Sequence, residues 1–462
     1  MNGTSWKEID IEYGKEYITV KVPPYCEILE NKSAPPLARP REKIEEVLSN
    51  PVGTESMEKL IGSLKKDPSK IKVAITVSDN TRPVPYNGES EQGILLPLLR
   101  RLEKARIKRG NIKIIVGTGT HLPTSSEWKK EAFGEFILNN YEIIDHDCNA
   151  LDLISIGRIR GVEVKINKEF ITADIRIATG LVEPHFMAGV SGGRKAICPG
   201  LVNLEATYVF HGVDFMDHPN ATNMVLVNNP CHEFALEVAK RAKVDFIVNC
   251  TINGNGDLTG VFAGHFEKAH LQAVRMLKDT CVVHCSHEYD IVLTQGGKVA
   301  VNHYQAAKAA YATIPIVKKG GIVILIAHNS DKNPVGKDEY RRVLRVLKEK
   351  GPGKFTEYIK SKNWRFVPDQ WQVQKWDQFF KKIGFFDNLI YCTTNIPPHE
   401  LEELPGKSGY LFAKEEALTC DRMVQNAIYY AVDNFRQKLK REPAMAFIKE
   451  GPYTVPLLNL PA

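Results

Sequence analysis

The chain has 462 residues, enough for two domains of ordinary size, and its 43% hydrophobic and 25% charged content is that of a water-exposed globular protein. Lys and Arg number 61 against 55 Asp and Glu, a net charge of +6 spread along the chain, which argues against a nucleic-acid partner. No run approaches the ~18 apolar residues needed to cross a bilayer, so no membrane association is expected. The first residues lack the basic-then-apolar order of a signal peptide, and the nine scattered cysteines read as reduced thiols. Together these give a cytoplasmic expectation.

In chain order, the first 50 residues mix strand-like runs such as Tyr17 to Val22 with proline-rich loops at Pro35, Pro36 and Pro40. From Ile71 a strand, loop, helix pattern sets in. Strand Ile71 to Val77 ends in Ser78-Asp79-Asn80-Thr81-Arg82-Pro83, and Ile94 to Ala105 has helical periodicity. Strand Ile112 to Val116 ends in Gly117-Thr118-Gly119-Thr120-His121. Further strands are expected at Tyr141 to Ile144, Val162 to Ile166, Ile175 to Ala178 and Val244 to Cys250. A second series begins near Asp290, with strands Ile291 to Thr294, Ile322 to Ala327, Leu389 to Thr393 and Ala444 to Phe447. Its helices are His303 to Ala312, Arg341 to Lys350, Trp371 to Lys382 and Met423 to Leu439.

Such alternation implies βαβ units and an α/β fold of two domains with parallel-rich sheets. The domains are expected at 1–286 and 287–462, with the last strand near 444–450 free to return to the first. Ligands of parallel sheets collect at the carboxyl ends of strands, where both polar clusters lie.

The densest segment runs from Gly180 through Glu183-Pro184-His185 and Gly189 to Ser191-Gly192-Gly193-Arg194-Lys195. Its glycines permit sharp turns whose N–H groups cradle anions, although a surface loop accounts for the same composition. The order is neither a Walker A loop nor G-x-G-x-x-G. His121 and His185 stand in glycine-rich loops after strands, where catalytic residues gather. His218, His232, His265 and His270 read as structural. Cys281, His284, Cys285 and His287 lack the second knuckle of a zinc site and read as core cysteines with surface histidines. Asp79 suits a turn cap or a ribose hydroxyl, and Arg82 a carboxylate or phosphate. Gln295, Tyr304, Gln305 and Lys308 cluster after the first strand of the second series, Tyr304 and Lys308 sharing one helix face.

Taken together, D-x-T-R-P, G-T-G-x-H, E-P-H-x-x-A-G-x-S-G-G-x-K and a histidine 16 residues beyond Lys195 resemble the nickel-dependent lactate racemase family. The resemblance is strongest from Lys72 to His211 and extends through Tyr304, Gln305 and Lys308. It implies two α/β domains with the active site in the cleft between them. It further implies a nickel-pincer nucleotide, nickel bound to a pyridinium-3-thioamide-5-thiocarboxylic acid mononucleotide, attached to Lys195. His211 matches the nickel ligand, and His121 and His185 the acid/base pair. Arg82 and Lys308 match substrate-orienting cations, with Tyr304 and Gln305 beside them. Asp79 falls near the cofactor or the histidine pair, and Ser191, Gly192 and Gly193 on the cofactor side.

The implied reaction inverts C2 of a 2-hydroxycarboxylate such as lactate, malate or a sugar acid by hydride transfer. The cofactor carries the hard step, while an imidazole on each side handles the hydroxyl proton. Extra sequence around Gly351 to Asp369, and Leu122 and Phe186 beside matched positions, leave the substrate open. Transient contact with cofactor-making enzymes is also implied. Two other readings remain: an NAD-type dehydrogenase or dehydratase of a sugar acid, and a non-catalytic carrier of the nickel nucleotide. The first lacks its glycine fingerprint. The second has no use for two histidines and two cations of substrate-handling type.

Overall fold

The computed structural model describes residues 5–32, 34–413 and 419–459, which fall into two compact units. Residues 33–280 form one unit. The other joins residues 1–32 to 281–462. The first 32 residues therefore leave the expected N-terminal domain, and the division falls at 280/281 rather than 286/287.

In the 33–280 unit, the Val73–Val77, Ile112–Val116, Glu142–Asp145, Ile175–Leu181 and Phe246–Ile252 strands run parallel, and Leu258–Gly264 returns antiparallel at one edge. Their order across the sheet is 258–264, 246–252, 175–181, 73–77, 112–116, 142–145. The chain builds outward from Val73–Val77 in one direction, then starts again on its other side with Ile175–Leu181. That reversal leaves a crevice beyond the carboxyl ends of these two strands, where ligands bind in open α/β sheets. All five residues of Val73–Val77 are buried, as a central parallel strand covered on both faces demands. The Leu95–Lys104 helix covers part of one face with Leu95, Leu98, Leu99 and Leu102, the i, i+3, i+4, i+7 stripe of an amphipathic helix.

The other unit has a six-stranded, wholly parallel sheet in the order 407–408, 389–392, 317–326, 289–295, 445–448, 27–29. It explains the placement of the N-terminal residues. Glu27–Leu29 adds an edge strand beside Met445–Ile448, and the Lys7–Tyr13/Glu16–Val22 hairpin packs on the Cys420–Leu439 helix. Gln425 locks that contact by accepting from the Lys21 N–H (2.6 Å) and donating to its carbonyl (2.9 Å). The last strand thus lies in the C-terminal sheet. The sheet again reverses direction at Tyr289–Gln295, its first strand after residue 281, which is followed by the His303–Ala312 helix bearing Tyr304, Gln305 and Lys308. Cys281 and Cys285 are buried, and His284 and His287 lie on the exterior.

Asp290 ties three elements of this sheet. Its carboxylate accepts from Lys318 Nζ (2.8 Å), Arg441 Nη1 (3.1 Å) and the Ala444 N–H (2.8 Å). Burial would raise its pKa, but Lys318, the Ala444 N–H and Arg441 outweigh burial and hold it below the usual carboxylate range. A group depressed in the folded state contributes stability above its unfolded pKa and loses it as pH falls through the folded value. Asp290→Ala should therefore cost about 1–3 kcal/mol in urea denaturation at neutral pH, with the gap from the parent chain shrinking in acid. A gap that stays constant down to acid pH would disprove this assignment.

Candidate active site

At the crevice of the 33–280 unit the chain brings together three loops. The first follows Val73–Val77. Asp79, only 4% exposed, accepts from the Thr81 N–H (3.1 Å) and hydroxyl (2.6 Å) through Oδ1, and its Oδ2 lies 2.5 Å from His121 Nδ1. Burial alone would raise the Asp79 pKa. His121, Thr81 and Arg82 more than offset it and leave the carboxyl below its ordinary range. Asp79 is thus an anion at neutral pH and takes the proton-bearing Nδ1 of His121. That leaves the His121 Nε2 lone pair outward, on a side chain 57% exposed.

The second loop, after Ile112–Val116, carries His121. Its Gly119 has φ +58 and donates to the Gly200 carbonyl (3.1 Å), tying it to the third loop.

The third loop follows Ile175–Leu181. Two-residue strands Pro184–His185 and Gly189–Val190 pair into a tight hairpin. Within it, His185 Nδ1 accepts from the Met187 (3.3 Å) and Ala188 (3.1 Å) N–H groups. Backbone N–H groups only donate, so neutral His185 keeps its proton on Nε2. In their neutral forms the two histidines are therefore opposite tautomers.

The glycine segment behaves differently from a free anion cradle. Gly192 and Gly193 have φ of +74 and +52 and reverse the chain. The Gly193 N–H is taken by Asn249 Oδ1 (3.0 Å) and the Lys195 N–H by the Gly192 carbonyl (3.1 Å). The Ser191 hydroxyl donates to the Leu181 carbonyl (2.7 Å) and accepts from the Glu183 N–H (2.9 Å). These polar groups are spent on building the turn, so the expected N–H cradle gives way to a rigid bend that aims Lys195.

Half-buried Lys195 places Nζ 5.1 Å from the Phe210 ring centre, and the His211 ring packs edge-on against the same ring at 4.8 Å. Enclosure, then Arg82 and Arg194, push the Lys195 amine down to about 7. At neutral pH a large fraction is uncharged and nucleophilic. His211 caps the Leu204–Phe210 helix; burial, with Lys195 and His121 nearby, holds its pKa well below the usual value and keeps the imidazole neutral.

Arg82 is not a free fork. Its Nε pairs with Glu183 at 2.8 Å and its Nη1 donates to the Thr81 carbonyl (3.1 Å). Tyr304, Gln305 and Lys308 belong to the other unit, one turn apart on the His303–Ala312 helix, where Trp371 Nε1 donates to the Tyr304 hydroxyl (2.8 Å). Sequence reasoning gave no role to Glu183, Asn249 or Arg194 and read His270 as structural. A polar Asn249 inside an otherwise apolar strand was the available signal for one of them.

Gly193→Ala tests the bend. Its new Cβ would sit 2.8 Å from His270 Cγ at a φ that costs an L-residue about 1–2 kcal/mol. Urea denaturation should show at least that loss; a variant as stable as the parent would disprove the constraint.

Comparison with known proteins agrees with this architecture. Residues 13–224 match the family model of the lactate racemase N-terminal domain and residues 285–427 that of the C-terminal domain. The chain is 33% identical over 375 residues to the lactate racemase of Thermoanaerobacterium thermosaccharolyticum, covering 79% of this chain and 84% of that protein. It is 30% identical over 399 residues to the lactate racemase of Lactiplantibacillus plantarum, covering 84% and 89%. The solved lactate racemase apoprotein of the former organism superposes with a TM-score of 0.82 at 28% identity, covering 97% of this chain and all of that one. A protein with this fold, these matches and this loop constellation belongs to the lactate racemase family and is an isomerase of the racemase class.

Proposed function

We propose that the chain racemises or epimerises C2 of a 2-hydroxycarboxylic acid, carrying a nickel-pincer nucleotide on Lys195 with His211 as the protein ligand of the metal. One observation carries this reading: a low-pKa lysine and a neutral imidazole flank one aromatic ring, beside two loop histidines in opposite tautomers. The residues suit such a group. An uncharged amine can be acylated, and a neutral imidazole offers a metal its lone pair. Among the described residues no three His, Cys, Asp or Glu side chains form a metal cluster. One imidazole is enough where the cofactor brings its own soft donors.

When bound, the nickel nucleotide supplies the hydride acceptor. The chain's own residues handle the proton and the orientation. His121 presents the Nε2 lone pair and removes the substrate hydroxyl proton, while the Asp79 carboxylate stabilises the imidazolium that results. His185 presents Nε2–H to the same oxygen from the other side and protonates it, and the proton held by His121 is then exchanged through solvent to restore His185. The roles exchange for the opposite enantiomer. Arg82, held by Glu183 and the Thr81 carbonyl, directs its remaining Nη2 donors at the carboxylate, with Tyr304, Gln305 and Lys308 as further orienting groups. Ser191, Gly192 and Gly193 serve the cofactor by shaping the bend rather than by donating to it. Lactate is the substrate named for the two relatives, and it heads the panel to test.

The decisive measurement is intact mass and nickel content of chain co-produced with the cofactor-making enzymes, followed by loss of optical activity across lactate, malate and sugar acids. The expected result is a covalent adduct with about one nickel per chain, both lost in Lys195→Ala. His121→Ala and His185→Ala should keep the adduct and lose turnover by about a hundredfold or more. No adduct, with the same enzymes loading a known racemase, would sink the proposal; full turnover without it would favour the nicotinamide alternative.

Asp79→Asn gives a finer test. It keeps the shape beside His121 and removes the charge. Turnover should fall at least about tenfold with Lys195 loading intact. Equal loss of loading would move Asp79 to the cofactor side.

A further inference from the structure

Arg194 precedes Lys195 in the chain, yet its guanidinium points into the protein and is 2% exposed. Nη2 donates to the Ala188 carbonyl (2.8 Å), and Nη1 donates to the Gly192 carbonyl (3.3 Å) and lies 3.0 Å from His270 Nε2. His270 is equally buried; its Nε2 is 2.8 Å from the Ser191 carbonyl, and its ring fills the space a Cβ on Gly193 would need. Asn249 holds the same bend through the Gly193 N–H (3.0 Å) and the Gly180 carbonyl (3.3 Å). Among the described residues, the hydrogen-bond acceptors of Arg194 are carbonyls, with the His270 ring packed alongside, and none is a carboxylate.

Burying a guanidinium without an acid costs several kcal/mol, so a loop that merely needed support would use a neutral side chain. Two properties distinguish arginine here. Its rigid fork reaches the Ala188 carbonyl before the bend and the Gly192 carbonyl within it at once, which a lysine ammonium on its flexible stem does not. Its unneutralised charge also lies close enough to the Lys195 amine to disfavour a second cation.

We propose that Arg194, backed by His270 and Asn249, is a positioning residue that clamps the Gly192–Gly193 bend and thereby presents the Lys195 amine for acylation. The proposal rests on the reading of Lys195 as the attachment residue. Arg194 touches no substrate in this assignment; it acts through the backbone and the amine.

The test uses the full chain made without the cofactor-making enzymes. It is treated with limiting acetic anhydride near neutral pH, so that the Lys195 nitrogen displaces acetate and the released proton goes to buffer. Peptide mass spectrometry then compares acetylation at Lys195 with that at exposed Lys59. Arg194→Gln and Arg194→Lys should both slow Lys195 acetylation about tenfold and leave Lys59 unchanged, with circular dichroism showing a folded chain. Adduct yield on co-production with the cofactor-making enzymes should fall in parallel. Unchanged Lys195 reactivity in the folded variants, even with a lower melting temperature, would reduce Arg194 to a structural role and overturn the proposal. If neither variant folds, Asn249→Ala, which loses only the outer tie, carries the same expectation and the same refutation. A parent chain that never acquires an adduct but shows Arg194-dependent acetylation would sink the cofactor reading while keeping the control of the Lys195 amine by Arg194.

Discussion

Two consecutive residues in the left-handed region, Gly192 at φ +74 and Gly193 at φ +52, reverse the chain after the Gly189–Val190 strand, and the site depends on that reversal. Only glycine adopts this pair of conformations without strain. It is also the only residue that fits, because added Cβ atoms would press on Val182 Cγ2 and His270 Cγ, each at 2.8 Å. The reversal turns Ser191 inward, where its hydroxyl stitches the two sides of the loop, and directs Lys195 toward Phe210. A straight continuation would leave the lysine on the surface with an ordinary, charged amine.

The electrostatics of this corner follow from the same geometry. Arg82 and Arg194 both bear on Lys195, but they are treated differently by the fold. Arg82 is paired with Glu183, while Arg194 meets only carbonyls and His270. Desolvation pushes Arg194 itself down to about 9, a sign of how poorly this interior tolerates positive charge. Arg194 stays charged even so, but the weaker bases around it are neutral or nearly so: His211 and His270 lie well below their usual range and Lys195 near neutrality. Asp79 is a buried carboxylate that stays ionised because His121, Thr81 and Arg82 surround it. The corner thus holds neutral nucleophiles and lone pairs beside the anchored Asp79 anion and the Arg82–Glu183 ion pair.

Local patterns carried much of this into the sequence. The strands Ile112–Val116 and Val162–Ile166 and the helix His303–Ala312 match their expected bounds end to end, because β-branched strand runs and helical spacing show within a few residues. Asp79, His121, His185 and Lys195 were legible as loop residues after strands. Contacts between distant segments were not. Glu183 holds Arg82 across 101 positions of chain, Asn249 reaches Gly193 across 56, and His270 reaches Arg194 across 76. His270 looked like any helical histidine, and nothing in Glu27–Leu29 announces that it will pair with Met445–Ile448 at the far end of the chain. The N–H cradle expected from the glycines failed for a related reason: the side chain of Asn249, from another strand, takes the amide first.

The two loop histidines show how partners outside the ring set chemical role. Both are imidazoles on turns, yet Nδ1 of His121 faces a carboxylate and Nδ1 of His185 faces two backbone N–H groups. A carboxylate accepts, so His121 keeps its proton on Nδ1 and offers a lone pair; N–H groups donate, so His185 does the reverse. In the proposed reaction this fixes a starting arrangement of one base and one acid, without either ring having to lose a proton first. Protonating His121 strengthens its bond to Asp79, which favours the base role there. For His185 to act as base, it must first give up its Nε2 proton, and its Nδ1 cannot take that proton without breaking two backbone contacts. A doubly protonated His185 would likewise set its Nδ1–H against the Met187 and Ala188 N–H groups. In the proposed reaction the hairpin would therefore bias the pair toward one direction of proton flow, with the opposite enantiomer using the less favoured arrangement of the same two side chains.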